Sequence, residues 1–461
     1  MRHQSTTSSV EVQSNHQNAS TLVTDLLLPA TEAAKICVDL DYKFRDRVYS
    51  PMVTVWMFIT QVLSADHSCQ QAVVRLNAWR VARGLHRVCS ETTSYCKARC
   101  RLPEKLFERL LLWTVTRCNQ ATSTAWLFHG REVDIVDGST LTMADTQENQ
   151  EAYPQMKGQK LGCGFPIARI VQVFSLATGA ATMLAMGPYA GKQTGETSLL
   201  RTLLDRFLPG KIILADRYYA SFWMLALSEL RQVDMVARVH HLRHVDFRRG
   251  LRQGYYDQIV SYPKPDRPEW MSEADYDNYP KFILVRHLRY KVLQKGSRTR
   301  DITLATTLLD AAVYTAEELA NLYYRRWLVE LHIRSLKTQM QMEHLRCKSP
   351  QMVRKEIHCH MIGYNVVRAA ILASALKFNL CPSQLSFTGA MQAVEEFAAT
   401  LRLQSGRRED QWLNLLETIC ELPVGDRPGR SEPRELKRRP KRYKLMQTPR
   451  SATRNHCAKA A

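Results

Sequence analysis

The sequence lacks the features that mark secreted, membrane-spanning or zinc-finger proteins. Its first twenty residues are polar and contain no apolar core of the kind that a signal peptide needs. The twelve cysteines show no repeated CxxC and no histidine-paired frame, so they predict no finger-type zinc site and suit a reducing cytoplasm. The most apolar stretch, residues 166–187, is interrupted by Arg169, Gln172 and Gly179, which predicts two strands and a turn instead of a membrane span. We therefore expect a soluble cytoplasmic protein without a membrane partner.

The chain is also short of acidic residues. It has 44 Asp and Glu against 64 Lys and Arg, which gives a net charge of +20 and a pI near 9.5. Such an excess favours a polyanionic partner, of which nucleic acid is the commonest. Charge alone also permits a ribosome-like protein, a membrane-surface protein or a basic enzyme. With 461 residues, the chain is long enough for two to four domains.

The first part of the chain reads as helical. Residues 1–25 are rich in Ser, Thr, Gln and Asn and predict a disordered N-terminus. Residues 26–127 show helical periodicity, in which Pro51 opens an apolar helix and Ser68 caps the next one. We interpret them as a helical DNA-binding domain, and an ordinary solvated helical face is the alternative. The basic side chains that suit DNA docking are Arg80, Arg83, Lys97, Arg99 and Arg101.

The pattern of apolar residues changes near residue 128. Short apolar, β-branched segments come first and then alternate with helices, which predicts an α/β core with a mixed sheet over residues 128–380. Residues 241–314 lose the helical signal and predict a β-rich insertion in this core. Residues 381–424 predict a C-terminal helical segment, and residues 425–461 predict a basic flexible tail. Residues 426–461 hold twelve basic and three acidic residues, a local net charge of +9.

One helix in the core carries a polar stripe. Tyr323, Arg326, Glu330 and Lys337 project within a sector of about 60° on an ideal helix, and Arg334 extends that sector. A polar stripe is usually a solvated face. Here a single carboxylate is surrounded by cations and a phenol, a mixture suited to holding phosphates beside a metal ion.

Two aspartates stand where apolar runs end. Asp137 follows VDIV and precedes GST, and Asp216 follows KIILA. An aspartate in this position is more often a turn former or a helix cap. Two aspartates on neighbouring strands and a glutamate on a packed helix are also what two Mg²⁺ ions require, because hard cations prefer carboxylate oxygens. Asp134 and Asp145 are rival carboxylates near Asp137.

These residues resemble the DDE transposases of the insertion-sequence-four family. The helix signature of that family is Tyr, two residues, Arg, three residues, Glu, six residues, Lys, and this chain matches it without a gap from Tyr323 to Lys337. DGST at Asp137 and LADRYY at Asp216 look like the segments that carry the family's first and second aspartates. The resemblance covers roughly residues 45 to 375.

The resemblance implies a ribonuclease-H-like catalytic core, with the β-rich insertion placed before the helix that bears Glu330. It implies that Asp137, Asp216 and Glu330 are the catalytic residues and the ligands of two Mg²⁺ ions, for which Mn²⁺ can substitute. It also implies that Tyr323, Arg326 and Lys337 contact DNA phosphates, and Arg334 extends this group.

The family acts by a cut-and-paste route, so the resemblance implies a transposase that cleaves strands at terminal inverted repeats. The DNA ends then close into hairpins, which reopen before strand transfer to target DNA. The implied partner is double-stranded DNA, held by a homodimer in the bacterial cytoplasm and associated with the nucleoid. The alternative is a non-catalytic DNA-binding protein derived from a transposase.

Two further residues are candidate DNA contacts. Arg238, at the end of a predicted strand, is placed to reach the DNA backbone, although it could equally be a surface charge. Trp270 lies in the insertion, where some relatives use an aromatic side chain to hold a flipped base. A packing role is the alternative for Trp270.

Overall fold

The computed structural model describes five parts of the chain, and the predicted disordered residues 1–25 lie outside them, as does nearly all of the predicted basic tail. The described residues are 30–44, 47–291, 301–400, 408–425 and 446–449. Two compact units are defined by contacts within the chain. The first comprises the chain up to Trp126, residues 177–182 and residues 332–424; the second comprises residues 127–176, 183–331 and those from 425 onwards.

The first unit is built from helices. Ser50 and Ser68 stand before two of them, and their hydroxyl groups accept hydrogen bonds from the backbone N–H groups of Val53 and Gln71. The predicted cap at Ser68 is therefore confirmed. The α-helices of this unit are α1 Ala30–Asp39, α2 Pro51–Leu63, α3 Cys69–Ala82, α4 Thr93–Arg101, α5 Glu104–Gln120, α12 Pro350–Lys377, α13 Phe387–Thr400 and α14 Arg408–Cys420.

Arg99 of α4 is a core residue. Its side chain is buried, and its guanidinium carbon lies 4.7 Å from the centre of the Phe58 ring and 4.9 Å from that of Tyr95. Its Nη2 donates to Sγ of Cys69 at 3.2 Å. A cation enclosed in this way cannot dock DNA, so the prediction for Arg99 was wrong, whereas Lys97 on the same helix is exposed.

Helix α12 is long and apolar enough to cross a membrane by length and composition alone. In its most apolar window, however, 83% of the residues are buried inside the fold. The helix packs against α2, α5, α13 and α14 of the same unit. Packing within this unit therefore accounts for its apolar character.

The second unit is built on a mixed sheet covered by helices, as the sequence predicted. Its strands are β1 Val133–Met143, β2 Ile167–Ser175, β3 Ala181–Pro188, β4 Ile212–Ala215, β5 Asp234–Arg238, β6 Leu251–Gly254, β7 Asp257–Pro263, β8 Phe282–Lys291 and β9 Asp301–Thr306. They lie in the order β3-β2-β1-β4-β5-β9-β8-β7-β6. Strand β1 is antiparallel to β2 and parallel to β4, and β4 is parallel to β5. The predicted pair of strands in residues 166–187 is confirmed as β2 and β3.

One face of this sheet forms a core with two helices. Val136, Val171 and Ile213 on the sheet pack with Leu200 and Leu225, because alternate residues of each strand point to the same face. The helix predicted between β3 and β4 is shorter than expected, since it ends at Arg201. The helices of this unit are α6 Gln147–Ala152, α7 Glu196–Arg201, α8 Phe222–Leu230, α9 Glu273–Asp277 and α10 Ala316–Tyr324. Helix α11, Leu328–Arg334, begins in this unit, and its last three residues belong to the first unit.

The predicted β-rich insertion continues the core sheet. Strand β9 pairs antiparallel with β5, with Ala305 opposite Ala237, and β8, β7 and β6 follow outward. Arg286 of β8 is fully buried, and its Nε donates to Oδ1 of Asp257 on β7 at 2.8 Å. The insertion is therefore an extension of the core sheet and has its own buried ion pair.

The helical run that follows the insertion changes its winding twice. It begins at a capping box formed by Thr315 and Glu318, then passes through a 3₁₀ turn at Arg325–Trp327 before α11. A π-helical turn at Ser335–Gln339 follows α11. The predicted ideal helix, with one angle per residue from Tyr323 to Lys337, was therefore wrong in its spacing, although the segment is helical.

Candidate active site

Asp137 lies in the middle of β1. The strand continues through Met143, because Thr140, Leu141 and Thr142 pair with β2 in unbroken register. The β-branched threonines therefore extend the strand beyond the apolar run that ends before Asp137. The Asp137 side chain is 25% exposed.

Asp216 directly follows β4, the parallel neighbour of β1. Ile135 pairs with Leu214 across these strands, and Asp137 and Asp216 each lie two residues further along. The backbone of Asp216 is extended, with φ −78° and ψ 177°, so it continues in the direction of the strand. Adjacent strands are about 5 Å apart. The register therefore places both aspartates at the same level of the sheet.

Arg326 links the first of these aspartates to Glu330. Its Nη1 lies 3.5 Å from Oδ2 of Asp137, and its Nη2 lies 3.3 Å from Oε1 of Glu330, one turn further along the helix. The Arg326 side chain is 16% exposed and that of Glu330 is 65% exposed. Glu330 thus reaches the aspartates from solvent, and a largely buried cation stands between the carboxylates.

The charges of this cluster act on one another. Burial raises the pKa of Asp137, the Gly138 N–H and Arg326 lower it, and Asp216 and Glu330 raise it, so the net shift is upward. Burial lowers the pKa of Arg326, but Tyr323, Asp137, Asp216 and Glu330 raise it, and the net shift is again upward. The three carboxylates therefore lie close enough to repel one another, and Arg326 offsets part of that repulsion.

Tyr323 and Arg238 flank the same cluster. Tyr323 is only 6% exposed, and burial raises the pKa of its phenol well above the usual range. Arg326 and Arg238 oppose that shift, and Asp216 and Tyr290 add to it, so these groups surround the phenol. A phosphate could therefore reach Tyr323 only at a partly covered edge, and its role in DNA binding stays a prediction.

Lys337 and Arg334 belong to the other unit. Lys337 lies in the π-helical turn, and its Nζ is 3.8 Å from Oε1 of Glu343. Arg334, at the end of α11, is exposed. Both remain predicted DNA contacts.

Trp270 packs into the second unit. Its ring lies 6.1 Å from that of Trp223 in an edge-to-face arrangement, and the guanidinium carbon of Arg201 lies 3.7 Å from its centre. It borders the core beneath α8. This placement favours the packing role over the capture of a flipped base.

The rival carboxylates have other surroundings. Asp134 is 1% exposed, and its Oδ2 lies 2.9 Å from Nζ of Lys211. Asp145 is exposed and accepts a hydrogen bond from Gln150 at 2.8 Å. Asp134 is thus neutralised inside the sheet, which leaves Asp137 as the carboxylate that faces Asp216 and Glu330.

Two further residues at this site were missed from the sequence. The Glu196 carboxylate lies against Gly138, and Gln172 pairs with Asp137 across β1 and β2. Gln172 is fully buried, and within the described residues neither its Nε2 nor its Oε1 has a hydrogen-bond partner. No motif marks either residue, and the only sequence signal is the glycine directly after Asp137.

The donor set suits a hard divalent cation. Among the residues that the structure describes, no three His, Cys, Asp or Glu side chains stand close enough to hold a metal ion as they are placed. Arg326 separates Asp137 from Glu330; burial raises the pKa of Asp137, and repulsion from Asp216 and Glu330 adds to that shift. Bound cations would relieve that repulsion, and carboxylate oxygens are the ligands that Mg²⁺ and Mn²⁺ prefer. The residues present therefore fit the implied metal ions.

Comparison with known proteins identifies the family of the chain. Residues 128–366, which include Asp137, Asp216 and Glu330, match the family model for the transposase DDE domain. The chain is 25% identical over 394 residues to the transposase InsG for insertion sequence element IS4 of Escherichia coli (strain K12), a match that covers 84% of this chain and 85% of InsG.

A solved structure, the cryo-EM structure of the piggyBac transposase synaptic complex with hairpin DNA, matches with a TM-score of 0.42 and 11% identity over 86% of this chain and 84% of that chain. The family rests on the sequence matches and on the carboxylates that they contain. The chain belongs to the DDE transposases, and its predicted resemblance to the insertion-sequence-four family is confirmed.

Proposed function

We propose that this transposase cleaves and joins DNA at Asp137, Asp216 and Glu330 by the cut-and-paste route with hairpin ends. The proposal rests on the pairing of β1 with β4, which places Asp137 and Asp216 side by side. Arg326 then links Asp137 to Glu330. Three carboxylates brought together from two strands and a helix have no evident structural purpose.

We propose further that the second unit is a ribonuclease-H-like core. The strand order β3-β2-β1-β4-β5, with β2 antiparallel to β1 and with β4 and β5 parallel to it, supports this assignment. In such a sheet the parallel strands β1 and β4 end on the same side, so residues near their carboxyl ends converge.

Asp137, Asp216 and Glu330 would hold two Mg²⁺ or Mn²⁺ ions, which supply charge stabilisation to an in-line phosphoryl transfer. The protein contributes position and charge. Arg326 presents a forked pair of donors that now contact two carboxylates and would suit a phosphate equally well. The buried Gln172 amide, directly opposite Asp137, is available to hold that carboxylate.

A basic cavity beside Asp216 supports DNA binding next to the carboxylates. It has a volume of about 430 Å³ and begins at Arg217, the residue after Asp216. Tyr218 and His240 line it with their rings 5.6 Å apart, and Arg243 adds a further cation. Cations for phosphates and rings for bases are the combination that single-stranded DNA requires.

A second cavity supports the first unit as the part that binds terminal inverted repeats. It has a volume of about 590 Å³, and none of the described residues that line it is acidic. Four cations do: Lys43, Arg47, Lys97 and Arg101. We propose that a homodimer holds the two repeats during synapsis, which places both ends of the element in one complex.

The experiment is cleavage of linear DNA that carries the element's terminal repeats, in the presence of Mg²⁺ or Mn²⁺. Wild-type protein should produce nicked and hairpin ends, whereas Asp137→Asn, Asp216→Asn and Glu330→Gln should each lose at least about 100-fold in rate. Glu148→Gln, an exposed carboxylate on α6, is the matched control. Binding of the repeats without metal-dependent cleavage would instead show a DNA-binding protein derived from a transposase.

A further inference from the structure

Gly138, the residue after Asp137, stands where a side chain would displace the Glu196 carboxylate. A Cβ on Gly138 would lie 2.1 Å from Cδ and 2.3 Å from Oε1 of Glu196, distances that real contacts do not reach. Gly138 lies within β1, so its backbone does not need a glycine for conformational reasons. Close approach of the Glu196 carboxylate is therefore the reason that position 138 lacks a side chain.

The same glycine touches the carboxylate of Asp137. Its N–H donates to Oδ1 of Asp137 at 2.8 Å, while its Cα faces Glu196. Glu196 therefore lies one residue's width from the first catalytic carboxylate. It is the first residue of α7, and a hydrophobic core through Leu199 and Leu200 fixes this helix on the sheet.

Glu196 is not neutralised by a structural partner. Within the described part of the chain its carboxylate makes no hydrogen bond or ion pair. The nearest cation, Arg169, instead donates to the carbonyl oxygen of Thr194 at 3.0 Å. Burial raises the pKa of Glu196, Asp137 raises it further, Arg169 opposes the shift and Asp216 adds to it. Glu196 therefore shares the electrostatic environment of the catalytic aspartates.

A buried hydroxyl faces the same carboxylates. Tyr219 is fully buried, and in the described residues its Oη has no hydrogen-bond partner. Burial raises the pKa of this phenol well above its usual range, and Glu196, Asp137 and Asp216 raise it further. A buried hydroxyl without a hydrogen-bond partner is destabilising. Tyr219 therefore marks a position beside these carboxylates where a bound ligand would accept its hydrogen bond.

We propose that Glu196 is a fourth carboxylate of the active site, which helps to bind the divalent cations, and that Gly138 is present to admit it. The inference rests on the proposed function of Asp137, Asp216 and Glu330. Charge supports it: two divalent ions carry four positive charges, and those three residues supply three negative ones. Glu196 supplies the fourth.

The test is Mn²⁺ binding to the full-length protein without DNA, followed by electron paramagnetic resonance and by calorimetry. Glu196→Gln keeps the shape of the side chain and removes its charge. It should weaken binding of at least one Mn²⁺ ion by about tenfold or more. Glu148→Gln should bind Mn²⁺ like the wild type. If Glu196→Gln bound within twofold of the wild type while Asp137→Asn lost binding, the role of Glu196 would be refuted.

Failure of the proposed function would look different, since Asp137→Asn would then bind Mn²⁺ as the wild type does.

A second variant tests the geometry. Gly138→Ala should displace the Glu196 carboxylate and weaken Mn²⁺ binding as much as Glu196→Gln does, and the double variant should lose no more than either single one. Additive losses would show that Gly138 and Glu196 act separately and would overturn the proposal.

Should Gly138→Ala prove unstable, its melting temperature in EDTA decides the steric point. Glu196→Ala removes the carboxylate that a Cβ would meet, so the pair Gly138→Ala with Glu196→Ala should recover most of the lost stability. No recovery would mean that the glycine serves another contact.

Discussion

Arg326→Gln tests whether the Arg326 guanidinium neutralises Asp137 and Glu330 when no metal ion is bound. In the structure Arg326 lies 3.5 Å from Asp137 and 3.3 Å from Glu330. At an effective dielectric constant of about 20, each contact has a gross attraction of about 5 kcal/mol. Glu330 is 65% exposed, so screening reduces its share to about 0–1 kcal/mol. Desolvation of the guanidinium offsets part of the remainder.

We therefore expect Arg326→Gln to lower the free energy of unfolding by about 1–2 kcal/mol when metal is absent. Because divalent cations would provide the missing positive charge, the difference from the wild type should shrink in Mg²⁺. The assay is thermal denaturation of both proteins in EDTA and in MgCl₂. Arg334→Gln, which changes an exposed arginine of the neighbouring helix α11, is the control. Equal stability in EDTA, or an unchanged deficit in Mg²⁺, would refute the reasoning.

Three further predictions concern the second unit. Asp257→Ala leaves the buried Arg286 without its carboxylate and should lower the free energy of unfolding by about 3–5 kcal/mol in urea denaturation; a loss below about 1 kcal/mol would contradict it. Burial, together with the smaller effect of Arg243, lowers the pKa of His287 to about 4 from its usual 6.5, so the unfolded chain takes up a proton first as pH falls. Stability should therefore drop by about 3 kcal/mol between pH 6.5 and 4, and His287→Leu should flatten that slope in denaturation measured across this range. Trp270→Phe should retain DNA cleavage while lowering the melting temperature; loss of cleavage at unchanged stability would instead indicate a base-holding role.

The sequence indicated which residues to consider for the candidate site, but it did not predict where they lie within their strands and helices. The spacing from Tyr323 and Arg326 identified Glu330 as a candidate. The structure places Arg326 between Glu330 and Asp137. Asp137 stands where an apolar run ends, yet it lies within β1. A fall in hydrophobicity marks where a strand leaves the core, and pairing with a neighbour can continue beyond that point.

Other features depend on contacts between distant parts of the chain. A winding change such as the π-helical turn at Ser335–Gln339 has no periodic signal in the residues that form it. The pairing of β9 with β5 joins residues about seventy positions apart, and no local pattern specifies such a partner. Glu196 could be found only once the backbone showed what fills the space above Gly138.

The insertion lies at one edge of the sheet, away from the strands that carry the candidate site. The register of Asp137 and Asp216 is set between β1 and β4, while the outermost strand, β6, lies five strands beyond β4. Strand β6 is short and exposed, and its pairing shifts between Arg252 and Gly254, as in edges that resist adding a foreign strand. Changes to the strands at this margin would therefore leave the register of Asp137 and Asp216 as it is.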